Sequence, residues 1–235
     1  MPCSIVILTG AGISAESGIR TFRDSNGLWE NHRIEDVASP EGFHRNPDMV
    51  YTFYNMRRRQ LVSDEVAENA AHQALAKLQR DFDGDVTLVT QNIDDLHERA
   101  GFEGVLHMHG ELLKARCLHC GTIVECRHDF DQTTQCEACH QVGYLRPHIV
   151  WFGEMPLGMD HIMQCLSNCD LFVAIGTSGH VYPAAGFVEI AKQAGAHTLE
   201  INLEKSNVHS AFHHGLYGRA SQVVPEWVDS ILAEN

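Results

Sequence analysis

Residues 4–23, SIVILTGAGISAESGIRTFR, carry the reading on which the fold turns. Ser4 to Thr9 is a short apolar run, and a glycine turn follows at once. An apolar run of that length that stops at glycine reads as a buried strand of a parallel sheet. Gly10-Ala11-Gly12-Ile13-Ser14-Ala15 fits the G-x-G-x-x-G/A pattern, with Gly18 beyond it. Directly after a strand the pattern has physical meaning. Small residues let the backbone approach a pyrophosphate, and the following helix N-terminus supplies N–H donors. An ordinary tight strand-to-helix turn would look the same. The dehydrogenase layout needs a second strand soon afterwards, ending in an acidic residue about twenty positions on. Here that stretch is irregular, from Arg20-Thr21-Phe22-Arg23 to Asp48, so a hydride-transferring dehydrogenase is disfavoured.

Outward from this turn, helices are expected over about 48–61 and 69–82. In the second, Ala71, Ala74, Leu75, Leu78 and Phe82 share one face. Strands are expected at 86–90, 148–152, 171–175, 198–202 and 222–224, and further helices near 159–168, 183–194 and 225–233. Alternation of this kind predicts an α/β fold with a parallel sheet covered by helices on both faces. Three strands end in polar turns: Gln91-Asn92-Ile93-Asp94, Gly176-Thr177-Ser178 and Asn202-Leu203-Glu204. Each could cap the next helix. Three on the carboxyl edge of one sheet instead favour a shared ligand crevice.

Cys117-x-x-Cys120 and Cys136-x-x-Cys139 interrupt the alternation as a small inserted module. Two such pairs point to one tetrahedral zinc ion, and four thiolates leave no open position, so the metal is structural. The chain has 235 residues and a formal net charge of −14. That acid excess argues against nucleic-acid binding. No apolar run reaches the roughly 18 residues of a membrane span, and the N-terminal run is too short and too closely followed by glycine for a signal peptide. A soluble cytoplasmic protein with reduced cysteines is expected.

Taken together, GAGISAESGIRTFR at 10–23, QNID at 91–94, His109-Gly110, the two cysteine pairs, GTS at 176–178 and NLE at 202–204 resemble a sirtuin. Sirtuins are NAD-dependent protein lysine deacylases. The motifs run in family order across nearly the whole chain. The nearest resemblance is to the bacterial branch with Tyr-x-x-Arg, here Tyr54-Asn55-Met56-Arg57. The resemblance implies a large Rossmann-like domain (about 1–30, 83–110 and 147–235). Inserts would build a small domain, helical over about 31–82 and zinc-binding over 111–146.

It also implies roles. Gly10, Ala11, Gly12, Ile13, Ser14, Ala15, Glu16, Ser17, Gly18, Ile19, Arg20, Thr21, Phe22, Arg23 and Trp29 would wrap the pyrophosphate and cover the nicotinamide end of NAD. Gln91, Asn92, Ile93 and Asp94 would line the nicotinamide and its ribose. Gly176, Thr177, Ser178, Asn202, Leu203, Glu204 and Ala220 would serve the adenosine half. Val150, Trp151, Phe152 and Gly153 would pair with the acyl-lysine peptide as an added strand. Tyr54 and Arg57 would read an acyl carboxylate. His109 would be the general base on the ribose hydroxyls, a role that suits an imidazole. NAD would be consumed, giving nicotinamide, O-acyl-ADP-ribose and free lysine. The implied protein deacetylase and desuccinylase acts as a monomer on acylated proteins. An ADP-ribosyltransferase on the same scaffold and a non-catalytic NAD- or acyl-lysine-binding module are the competing readings.

Overall fold

The computed structural model describes residues 2–19, 28–29 and 32–234. The apolar run becomes β1 (Ser4–Thr9), and the glycine turn opens the short α1 (Ala11–Ser14). A two-stranded hairpin, β2 (Leu28–Trp29) and β3 (His32–Arg33), precedes three helices: α2 (Ile34–Val37), α3 (Pro40–Arg45) and α4 (Pro47–Leu61). Pro40 and Pro47 open α3 and α4, where a missing N–H costs nothing. Asn46 caps α4 by accepting from the Met49 amide at 3.2 Å. α5 (Ala70–Asp81) begins with a reciprocal cap: Asn69 Oδ1 accepts from the Ala71 amide, while His72 Nδ1 accepts from the Asn69 amide.

The second strand of the main sheet, β4 (Asp85–Thr90), comes only then, followed by α6 (Leu96–Arg99) and the two-residue β5 (Leu106–His107). β6 (Gly110–Cys117), β7 (Ile123–Glu125) and β8 (Leu145–Ile149) form a separate antiparallel sheet. The α/β pattern resumes with α7 (Met159–Asn168), β9 (Leu171–Ile175), α8 (Phe187–Gln193), β10 (His197–Asn202), β11 (His214–Tyr217) and α9 (Ala220–Ala233).

The main sheet runs β11-β10-β9-β1-β4-β5, every pair parallel. Ranked along the chain this is the doubly wound order 3-2-1-4-5-6 read from the other edge. The second strand missing soon after the first is therefore delayed, not absent: the helical insert stands between β1 and β4. Alternate residues of β1 face opposite layers. Ile5 and Ile7 pack with α5 and α9, whereas Val6 and Leu8 pack with α7 and α8. A third core joins α4 to β6 and β8 through Phe53, Tyr54, Leu112, Ile149 and Trp151. A fourth packs Tyr51 and Phe130 against Cys117, Cys126 and Cys136.

Two strand assignments need correction. The strand expected at 222–224 is the first turn of α9, which starts at Ala220. Pro225 reads as a helix's opening residue, but here it lies in the second turn of α9. The last strand lies earlier, at β11, whose His-Gly-Leu-Tyr carries no alternating pattern. The strand expected at 148–152 is shifted to Leu145–Ile149, so Trp151 and Phe152 lie beyond its end. Among the described residues, no helix is long and apolar enough to cross a membrane.

Candidate active site

The switch point of this sheet order lies between β1 and β9, where crossovers leave in opposite directions and a crevice opens at the carboxyl ends. The two turns touch there. The Gly10 amide donates to the Ile175 carbonyl at 3.0 Å, and the Gly12 amide to the Gly176 carbonyl at 2.9 Å. A Cβ on Gly12 would lie 2.7 Å from the Gly176 Cα, and Gly176 sits at φ +65°. Any side chain at either position would force the turns apart and close the crevice floor.

Behind that floor Ser14, Asn92 and Asp94 converge. Ser14 Oγ donates to Asp94 Oδ2 at 3.1 Å and accepts from Asn92 Nδ2 at 3.2 Å. The same Asn92 amide donates to the Gly10 carbonyl at 3.2 Å. Asp94 also accepts from the Leu96 amide at the start of α6. Burial nevertheless pushes its carboxyl up to about 6, against the pull of these donors. Asn69 ties α5 to the glycine turn by donating to the Ile13 carbonyl and Ser17 Oγ.

Sequence reasoning passes over a buried layer beneath these groups. His72 and His97 are both fully buried, with ring centroids 4.9 Å apart. His97 Nε2 lies 3.0 Å from Thr9 Oγ1, which donates to Thr90 Oγ1. Burial holds His72 down at about 4, and it keeps His97 well below the ordinary imidazole value. Both are therefore neutral supports at physiological pH. An apolar helix face that contains one histidine gave the only signal, and it reads equally as packing.

His109 follows β5. Its Nδ1 lies 3.0 Å from the Gln91 carbonyl, which can only accept, so Nδ1 carries the proton and Nε2 the lone pair. Burial lowers its pKa while that carbonyl raises it, leaving the ring neutral at pH 7. Gly110 stands at φ +82° with the His148 carbonyl where a Cβ would be, so the residue after this histidine must be glycine. The His109 carbonyl accepts from the Val150 amide at 2.8 Å, joining His109 to the 150–153 segment.

In that segment Trp151 is buried and Phe152 is half exposed. The Trp151 indole donates to the Tyr54 hydroxyl at 2.9 Å. Arg146 lies 3.4 Å above the indole ring and forks onto Glu154, with Nη1–Oε1 2.7 Å and Nη2–Oε2 3.0 Å. Tyr54 is fully buried, and burial raises its phenol far above the ordinary value. Arg57 lies over the Phe53 ring and donates to the Phe53 carbonyl at 2.6 Å.

At the other end of the crevice, Asn202 Nδ2 donates to the Thr177 carbonyl at 2.6 Å and its Oδ1 accepts from the Leu203 amide. Leu203 and Glu204 are exposed, and Ser178 accepts the Asn207 amide on its carbonyl. Ala220 opens α9 beside the glycine turn, because Glu16 accepts from the Ser221 amide at 3.1 Å. Ala11, Ala15 and Gly18 belong to the same turn, and Gly18 ends it at φ +84°. Ile13 is buried in the core. Ile19 and Ile93 pack against the α4 core. Arg20, Thr21, Phe22 and Arg23 lie outside the described residues, and Trp29 is described only as backbone, in β2.

The four module cysteines bring their sulfurs within 4.8 Å of one another. Cys117–Cys139 is 3.7 Å and Cys120–Cys136 is 3.9 Å. A zinc ion with bonds of about 2.3 Å needs tetrahedral edges of about 3.8 Å. The two knuckles match bond for bond. The Gly121 amide returns to the Cys117 carbonyl as His140 does to Cys136, and the Cys117 amide donates to Thr122 as Cys136 does to Gln141. Both turns end in a left-handed residue, Gly121 at φ +77° and His140 at φ +59°. These residues fit a structural zinc ion.

The Sir2 family model matches residues 10–183. A Salmonella typhimurium protein named NAD-dependent protein deacylase is 62% identical over 228 residues, 97% of this chain and 84% of that one. A Vibrio cholerae protein of the same name is 61% identical over 229 residues, covering 97% and 93%. The structure is similar to a Sir2 homologue–NAD complex, with TM-score 0.89, 38% identity, and 99% and 91% of the two chains covered. It is equally similar to a mutant Sir2 homologue with ADP-ribose, at TM-score 0.90, 38% identity, 99% and 93%.

Proposed function

This chain belongs to the Sir2 family, and from that premise we propose that it is an NAD-dependent protein lysine deacylase. Its substrates are acylated proteins, from which it removes acetyl and also succinyl or malonyl groups. The products are nicotinamide, O-acyl-ADP-ribose and free lysine. The observation that carries this reading is the anchored tautomer of His109, whose Nδ1–H is held by Gln91. A base fixed in that way, one hydrogen bond from the strand-pairing segment, suits proton removal from a ribose hydroxyl beside a bound peptide.

NAD supplies an activated ribose carbon from which nicotinamide leaves. The chain's own residues do the rest. The Gly10–Gly18 turn accepts the pyrophosphate closely because its glycines leave no side chain in the way. Asn92 and Asp94, braced by Ser14, present a carboxamide and a carboxyl toward the nicotinamide half. Gly176–Ser178 and Asn202–Glu204 serve the adenosine half, with Ala220 nearby. His109 Nε2 takes the proton. Val150–Gly153 offers backbone donors and acceptors to the substrate strand. Tyr54 and Arg57 share one face of α4 and bind the terminal carboxylate of a succinyl or malonyl group. The zinc ion supplies only folding energy to its module.

Mass spectrometry of acetyl- and succinyl-lysine peptides, with and without NAD, tests the proposal. Loss of the acyl mass only with NAD, together with an acyl-ADP-ribose product, is expected. Transfer of ADP-ribose onto the peptide, with the acyl group retained, would overturn it.

A further inference from the structure

His107 and His109 stand two residues apart and reach toward successive carbonyls of one turn. His109 Nδ1 lies 3.0 Å from the Gln91 oxygen and His107 Nδ1 3.4 Å from the Asn92 oxygen. The other nitrogens differ. His109 Nε2 is left for chemistry, whereas His107 Nε2 meets Glu98 Oε1 at 2.6 Å. A carbonyl and a carboxylate are both acceptors, so His107 satisfies both only with a proton on each nitrogen. With one proton it would turn a lone pair on the Asn92 carbonyl or on Glu98. The side chain is 8% exposed, so water offers little relief.

We propose that His107, clamped between the Glu98 carboxylate and the Asn92 carbonyl, is a positioning residue that as an imidazolium holds the Gln91–Asn92 turn ready for NAD and releases it on deprotonation. The inference rests on the reading of that turn as the nicotinamide-side wall. Asn92 is the leverage point, because its side chain bonds both Gly10 and Ser14 and its amide bonds Thr90. A shift of its carbonyl disturbs all three. The ionisable groups facing His107 are Glu98 and His97 from α6, Asp94 from the β4–α6 turn and Glu111 from β6. Burial pulls the His107 pKa down, but Glu98, Glu111 and the Asn92 carbonyl outweigh it and leave the pKa raised. The folded, clamped state therefore holds this proton more tightly than the unfolded chain does and loses it as pH rises through the raised pKa.

The test uses the zinc-loaded chain with ¹⁵N-labelled histidine, titrated from pH 6 to 10. Both His107 nitrogens should be protonated at pH 7. The Ile93 amide shares a peptide group with the Asn92 carbonyl, so its resonance should shift at the His107 midpoint. The Kd for NAD, measured by calorimetry without peptide, should rise about five- to tenfold across the same midpoint, as for loss of one ordinary hydrogen bond. Glu98→Gln should move all three midpoints to lower pH while leaving NAD affinity at pH 6 near wild type. His107→Gln should remove this step from the pH dependence of the Kd. A His107 that is neutral at pH 7, or an Ile93 amide that ignores it, would overturn the clamp. A clamp that titrates while NAD binds equally well throughout would overturn its role. A clamp that titrates in a chain that binds no NAD would support the clamp and sink the deacylase reading instead.

Discussion

Trp151 donates its indole N–H to the hydroxyl of Tyr54, so the phenolic proton of Tyr54 points away from the indole. The indole is itself pinned under Arg146, which Glu154 holds in a two-pronged pair. A buried phenol whose oxygen is fixed in this way is a directed donor. On the proposed reading, this donor and Arg57, one turn along α4, would bind a carboxylate better than a neutral acetyl group.

Arg57→Met should therefore suppress desuccinylation selectively. Loss of one charge-assisted contact costs about 1.5–3 kcal/mol, or roughly ten- to a hundredfold in kcat/KM. Deacetylation makes no such contact and should fall far less. Assays of both acyl groups on one peptide backbone decide it, since equal losses would mean that Arg57 supports the helix alone.

His109→Ala should fold and bind NAD, because the groups placed around the cofactor crevice lie elsewhere. Turnover should drop by roughly a hundred- to ten-thousand-fold, the range for a lost general base. Near wild-type turnover in the variant would assign the base to another residue.

Removing the metal should unlock the module. Its sulfurs are held by two small knuckles, and its apolar core amounts to little more than Tyr51, Phe130, Leu145 and the cysteines. Elemental analysis should give about one zinc per chain, and Cys136→Ala should lose it. The loss should also reach α4, because Asn55 bonds the Phe130 carbonyl at 2.9 Å and Arg59 forks onto Asp129. Unchanged melting of the stripped protein would refute the structural role.

Asp94 sets a pH-dependent penalty. Its carboxyl titrates near 4 when unfolded and at about 6 when folded, so the folded state holds the proton more tightly. The sign follows: this group favours folding at low pH, and that advantage is lost as pH rises through about 6. At pH 7.5 the ionised group costs on the order of 3 kcal/mol by linkage. Asp94→Asn should thus be more stable than wild type at pH 7.5, with the gap closing toward pH 4, while its NAD affinity falls. Thermal melts across that range check the first part, and calorimetry the second.

The parts legible from sequence are those whose signal is local. The glycine turn after β1, the cysteine spacing and the apolar face of α5 each declare themselves within about twenty-five residues. β5 and β2 are two residues long, too short for any period, and are defined only by their partners. α9 was obscured by Pro225, which imitates a helix start. The site shows the same division. Gly12 and Gly176 are each readable as turn glycines, but their mutual contact is a property of sheet order. His72 and His97 support the crevice from within helices. Nothing in their flanking residues distinguishes such a support from a packed core histidine.

The position of β1 has a kinetic cost. It is the central strand, yet its parallel partners enter late: Ile5 pairs with Val86 on one side and with Leu171 on the other. During synthesis at roughly 5–20 residues per second, an apolar strand with one edge still open waits on the order of ten to thirty seconds for the second partner. The antiparallel β6–β8 module and α4, which packs on it, are built from nearer contacts and can fold meanwhile. The stretch between β1 and β9 is therefore a window of aggregation risk. A chaperone that shields Ile5-Val6-Ile7-Leu8 in that window would raise the yield of folded enzyme without altering its final stability.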